Sequence, residues 1–94
     1  MKTIKKIKVN FKKVDFIPEA SGMEQGVVYI SDNYNTSSHL CMCGCGELTV
    51  MPLGKTEWNY QIKNNKLTMS PSVGNYQFNC HSHYIIQNGN ANFV

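Results

Sequence analysis

The 94-residue chain contains no arginine; its nine basic residues are all lysine, set against six acids. It therefore lacks the planar guanidinium fork that grips phosphate or guanine through two bonds at once. With a net charge of only +3, nucleic-acid binding has just the lysine-rich start and aromatics such as Tyr34 and Trp58 to support it. Long apolar runs are missing too. No segment approaches the roughly 20 residues of a membrane-spanning helix, so no membrane association is expected. The first lysines are followed by no apolar stretch ending in a cleavage site, which excludes a signal peptide and makes a cytoplasmic location the expectation.

Helical periodicity is scarce: a turn around Glu19 to Gln25 is the most the pattern supports. A period of two recurs instead. Ile7, Val9 and Phe11 alternate with polar residues, as do Trp58, Tyr60 and Ile62. Val27 to Ile30, Glu47 to Met51, Leu67 to Met69 and Tyr84 to Ile86 read as further strands, with Pro52 ending one of them. Lys63-Asn64-Asn65-Lys66 and Gln87-Asn88-Gly89-Asn90 read as hairpin turns, because asparagine and glycine tolerate positive φ; Phe93 and Val94 would close the last hairpin. The expected fold is a mostly β, small antiparallel sheet domain spanning residues 1–94, with a zinc site built from Cys/His turns. At this length an apolar core alone gives marginal stability, so a metal staple would help. Six of the nine lysines fall in MKTIKKIKVNFKK, which reads as the solvated face of an edge strand.

Against this plain background stands HLCMCGCGE, residues 39 to 47, with Cys41, Cys43 and Cys45 at alternating positions. Cys80-His81-Ser82-His83 follows downstream. In a reducing compartment clustered cysteines read as metal ligands rather than disulfides. Zinc takes sulfur and imidazole ligands tetrahedrally, with ligating sulfurs roughly 4 Å apart. Residues i and i+4 of a flat strand are roughly 13 Å apart, so the three cysteines reach one ion only if the chain turns, and Gly44 and Gly46 allow that turn. The candidate ligands are Cys41, Cys43, Cys45, Cys80 and His83, and the choice among the first three stays open. A turn between Cys80 and His83 belongs to the same expectation.

These residues resemble a family of small bacterial and phage domains, some associated with bacterial ubiquitin-like conjugation operons and regarded as zinc-dependent peptidases. The matching pieces are Gly26 to Ser31, HLCMCGCG, Pro52-Leu53, Trp58, Leu67 to Asn75, Cys80 and Ser82-His83-Tyr84. The resemblance covers roughly residues 20 to 94. Tyr76 and the Asn92-Phe93 ending depart from the tryptophans expected there. The resemblance implies a zinc-dependent peptidase or isopeptidase acting on the tail or a conjugate of a ubiquitin-like protein, or on another protein substrate.

For that chemistry zinc would need an open position for water. Thiolate ligands weaken its Lewis acidity and argue against hydrolysis, although cysteine-rich zinc does hydrolyse in deaminases. Glu47, immediately after the knuckle, is the expected general base, and His39 an alternative proton shuttle or a group that orients a ligand. Ser70 and Ser72 flank Pro71 and would donate to an oxyanion or simply satisfy the turn. Ser82 invites a nucleophile reading, but no acid partner is identified for it. The competing reading is a non-catalytic structural zinc module that binds a protein partner.

Overall fold

The structure is a computed structural model that describes residues 6–75 and 78–94; Tyr76 and the first lysines, Lys2 and Lys5, lie outside them. Ten strands follow in order: β1 (Lys6–Lys8), β2 (Asn10–Lys13), β3 (Val27–Ser31), β4 (Thr36–Leu40), β5 (Leu48–Pro52), β6 (Asn59–Lys63), β7 (Lys66–Ser70), β8 (Val73–Asn75), β9 (Ser82–Gln87) and β10 (Asn90–Phe93). They form a four-stranded sheet ordered β1-β10-β9-β8, a second ordered β2-β3-β4-β5, and the β6-β7 hairpin. The mostly β, small-sheet fold expected from the alternating pattern is what the chain adopts, with one 3-10 turn at Ala20–Gly22. No helix among the described residues is long and apolar enough to cross a membrane.

The N-terminal alternation is one run in sequence and two strands in space. β1 pairs antiparallel with β10, while β2 pairs with β3 in parallel, the one departure from antiparallel pairing among the named strands. The switch falls at Val9, whose N–H donates to Gly89 O at 2.9 Å, while the next N–H, of Asn10, donates to Gly26 O at 2.8 Å. Val9 itself is buried between the sheets. Lys6, Lys8, Lys12 and Lys13 all face solvent on these two edge strands, where lysine hinders edge-to-edge pairing.

Both anticipated hairpin turns form, with positive φ at Asn64 and Asn65 (54° and 62°) and at Asn88 and Gly89 (50° and 76°). The second turn is held on β7: Gly89 N–H donates to Leu67 O at 2.9 Å, and Asn88 N–H to Thr68 Oγ1 at 3.0 Å. Two strands escaped the pattern. β4, Thr-Ser-Ser-His-Leu, is polar in composition yet buried through its centre; Ser37 satisfies its hydroxyl on Met51 O at 2.8 Å. β8 is three residues long and contains a glycine.

The core lies between the sheets and takes Val28, Ile30, Met51, Leu67, Met69, Val73, Tyr84 and Ile86. Leu67 has no exposed surface and pins the β6-β7 hairpin to the core. Leu67→Ala removes its buried methyl groups and leaves a cavity. We expect a loss of about 2–5 kcal/mol of unfolding free energy, measured by urea titration.

Candidate active site and cysteine cluster

The cysteine stutter is a knuckle rather than a strand. Cys41 lies just past β4, and its N–H donates to Glu47 O at 2.8 Å, closing a loop in which Gly44 N–H returns to Cys41 O at 3.0 Å. Gly44 and Gly46 take φ of 93° and 85°, a conformation side-chain-bearing residues avoid. The loop thereby does what a flat strand forbids and turns all three thiols to one point. Cys80 joins them from the turn after β8, where His81, with φ of 47°, redirects the chain into β9.

The sulfurs of Cys41, Cys43, Cys45 and Cys80 all lie within 4.8 Å of one another, and the group could hold a metal ion. Cys41 to Cys43 is 3.4 Å, Cys45 to Cys80 3.6 Å and Cys41 to Cys80 3.8 Å. Sulfurs at tetrahedral corners about 2.3 Å from a centre are roughly 3.8 Å apart. Neighbouring groups already address these sulfurs: Asn75 Nδ2 donates to Cys41 at 3.3 Å, the Cys45 N–H to Cys43 at 3.3 Å, and the Ser82 hydroxyl lies 3.0 Å from Cys41 and 3.3 Å from Cys80. Burial pushes the Cys43 thiol up to about 12, whereas hydrogen bonds from Ser82 pull Cys80 down to about 6.

His83, expected as a ligand, is not in this group. Side chains alternate along a strand, and on β9 Ser82, Tyr84 and Ile86 point inward while Ile85 and Gln87 are exposed and His83 is half-buried. Once β9 starts at Ser82, the face that meets the sulfurs belongs to Ser82 and the opposite face to His83. On that outer face His83 Nε2 lies 2.7 Å from Ser72 Oγ. The hairpin register explains the meeting. Val73 pairs with Tyr84 and Gly74 with His83, which puts Ser72 diagonally across from His83, within reach of a long side chain. Ser72, expected at an oxyanion or in a turn, and His83, expected at the metal, instead lie against each other. The signal was available in the eleven-residue separation across a hairpin.

Of the two residues expected to move protons for zinc-bound water, one is buried in the core and the other is exposed. His39, in the middle of β4, has no exposed surface. Burial lowers it to about 4, so it stays neutral, and its Nε2 lies 2.6 Å from the Tyr84 hydroxyl. Glu47 is exposed and contributes its backbone carbonyl to the knuckle. Ser82, the other candidate nucleophile, is buried with its hydroxyl against two thiols.

Residues 13–94 match the family described as bacterial ubiquitination-like system serine protease (BubE). The chain belongs to this family. No curated protein and no solved structure matches it. Membership of BubE bears out the link to bacterial ubiquitin-like systems that the motifs implied. It overturns the expected zinc-dependent peptidase, since the family is one of serine proteases. In the structure three sulfurs of the knuckle and that of Cys80 gather without a histidine, and His83 instead lies against Ser72.

The His39–Tyr84 contact gives a test of the buried frame around the site. The Tyr84 hydroxyl also accepts the Met42 N–H at 3.3 Å, so it ties β9 to both β4 and the knuckle. Tyr84→Phe strands these partners in the core. The expected cost is about 1–3 kcal/mol by thermal or denaturant unfolding.

Proposed function

We propose that this chain is a serine protease of a bacterial ubiquitin-like system in which Ser72 is the nucleophile and His83 the general base. The observation that carries the reading is the 2.7 Å contact between Ser72 Oγ and His83 Nε2 on a half-buried outer face. A free serine hydroxyl is a weak nucleophile, and an adjacent imidazole activates it. Ser72 Oγ attacks the scissile carbonyl carbon as His83 Nε2 takes its proton. The imidazolium then protonates the leaving amine as the C–N bond breaks. Water, deprotonated by the same imidazole, releases the acyl group and returns Ser72 to its starting state. The substrate is a protein, in keeping with the family: a ubiquitin-like protein or its conjugate.

Ser72→Ala should lower kcat/KM by at least about 10⁴-fold with the fold intact, and His83→Ala should do nearly the same. Because the two act as a unit, the double variant should be little worse than either single one. Phenylmethylsulfonyl fluoride should form its adduct on Ser72, located by peptide mass spectrometry. A Ser72→Ala protein that cleaves at the wild-type rate would defeat the assignment.

The cysteine cluster fits a structural zinc ion held by Cys41, Cys43, Cys45 and Cys80. Four thiolates leave no position for water, and such a site contributes to folding rather than to hydrolysis. Soft thiolates at tetrahedral spacing suit zinc. One zinc per chain is expected by elemental mass spectrometry. Chelation should lower the melting temperature, and cleavage should disappear only in step with unfolding. A zinc-free protein with the same melting temperature would remove the metal from the account.

A further inference from the structure

The two sheets leave four open edges, and the chain treats them in two ways. β1 and β2 carry Lys6, Lys8, Lys12 and Lys13 in solvent, a common defence against unwanted pairing. β5 and β8 carry no charge at all: Leu48-Thr49-Val50-Met51-Pro52 and Val73-Gly74-Asn75. On β5, Val50 is 52% exposed. These two undefended edges line one cleft of about 110 Å³, together with Trp58 and Phe78, and among the described residues no charged side chain enters its lining. Asn75 Nδ2 donates to Thr49 Oγ1 at 3.1 Å and ties the two edges together on one side.

Ser72 immediately precedes β8. A chain laid along Val73 to Asn75 advances about 3.3 Å per residue and arrives at the Ser72 hydroxyl within about one residue of leaving the strand. We propose that this cleft is the substrate subsite. It takes an extended, uncharged, apolar segment of the protein substrate next to the scissile bond, which adds as a strand along the open edge of β8 and packs against Trp58. Strand addition supplies main-chain hydrogen bonds, and the lining selects the side chains. The absence of charge in the lining makes a charged substrate side chain unfavourable there, since nothing compensates its desolvation. This inference rests on Ser72 as nucleophile, and the variants below separate the two.

The probe is a bacterial proteome-derived peptide library, with cleavage sites read by mass spectrometry and KM and kcat then measured on the best peptide. The wild type should select uncharged apolar residues beside the cleaved bond. Trp58→Ala removes the ring from the lining; it should raise KM about 5–10-fold with kcat within about 2-fold. Val50→Glu should deplete acidic residues further and admit lysine beside the bond. Circular dichroism checks that both variants fold. If both cleave the same peptides as the wild type with unchanged KM while Ser72→Ala is inactive, the cleft is not the subsite and the nucleophile stands. If Ser72→Ala remains active, the nucleophile falls, and the same two variants still decide the cleft. Should the wild type cleave no peptide, the library is titrated into the Ser72→Ala protein and the emission of Trp58, the single tryptophan, is followed. A shift supports the cleft, and no shift overturns it.

Discussion

Strict alternation of side chains along β9 is the constraint on which the arrangement depends. A strand sends successive residues to opposite faces, and a slip of one residue would exchange them all. On the inner face Ser82 meets the sulfurs, Tyr84 joins His39 and Ile86 fills the core; on the outer face His83 reaches Ser72. One six-residue strand thus separates a sulfur cluster from a serine–histidine pair. The register is held from the inside, where Tyr84 and Ile86 have no exposed surface. A slipped strand would put His83 and Ile85 there instead. The geometry of the outer pair is therefore secured by packing on the opposite face.

The knuckle solves a different problem. Three cysteines two apart cannot converge from an extended chain, and the positive φ values of Gly44 and Gly46 bend it. The fourth thiol must come from elsewhere in sequence, and the short β8-β9 connection delivers it. The same connection brings Ser72 and His83 together. Cluster and pair are consequently neighbours in the chain without sharing a residue: Asn75 and Ser82 touch the sulfurs, while Ser72 stands three residues before Asn75 and His83 one after Ser82, on the other face.

Much of this was legible in the sequence, and the failures have definite causes. The two Asn-rich turns and most strands followed from alternation and turn chemistry, because those signals are local. β4 was missed since its inward residues are serines and a histidine, whose burial depends on partners such as Met51 O and Tyr84 that no local pattern reveals. The cysteine set was readable because glycine spacing and thiol chemistry leave few alternatives. His83 reads as a ligand because Cys80-x-x-His83 resembles a ligand pair when the start of β9 is unknown, whereas in the fold its Nε2 lies against Ser72. The left-handed conformation of His81 fixes that start, and nothing in a lone histidine announces it.

The distinction between a metal that holds and a metal that reacts rests on donor count. Four thiolates close a tetrahedron, and each reduces the acidity of any water that could bind. A hydrolytic site built on this cluster would have to lose a ligand first, yet three of the four thiols belong to one tightly turned loop closed by Cys41 N–H to Glu47 O. Opening that loop would also disturb Met42, whose N–H is bonded to the Tyr84 hydroxyl, and with it the core contact that sets β9. The serine–histidine pair carries no such conflict. It lies on the half-buried outer face of β9, while Ser82 meets the sulfur cluster on the inner one.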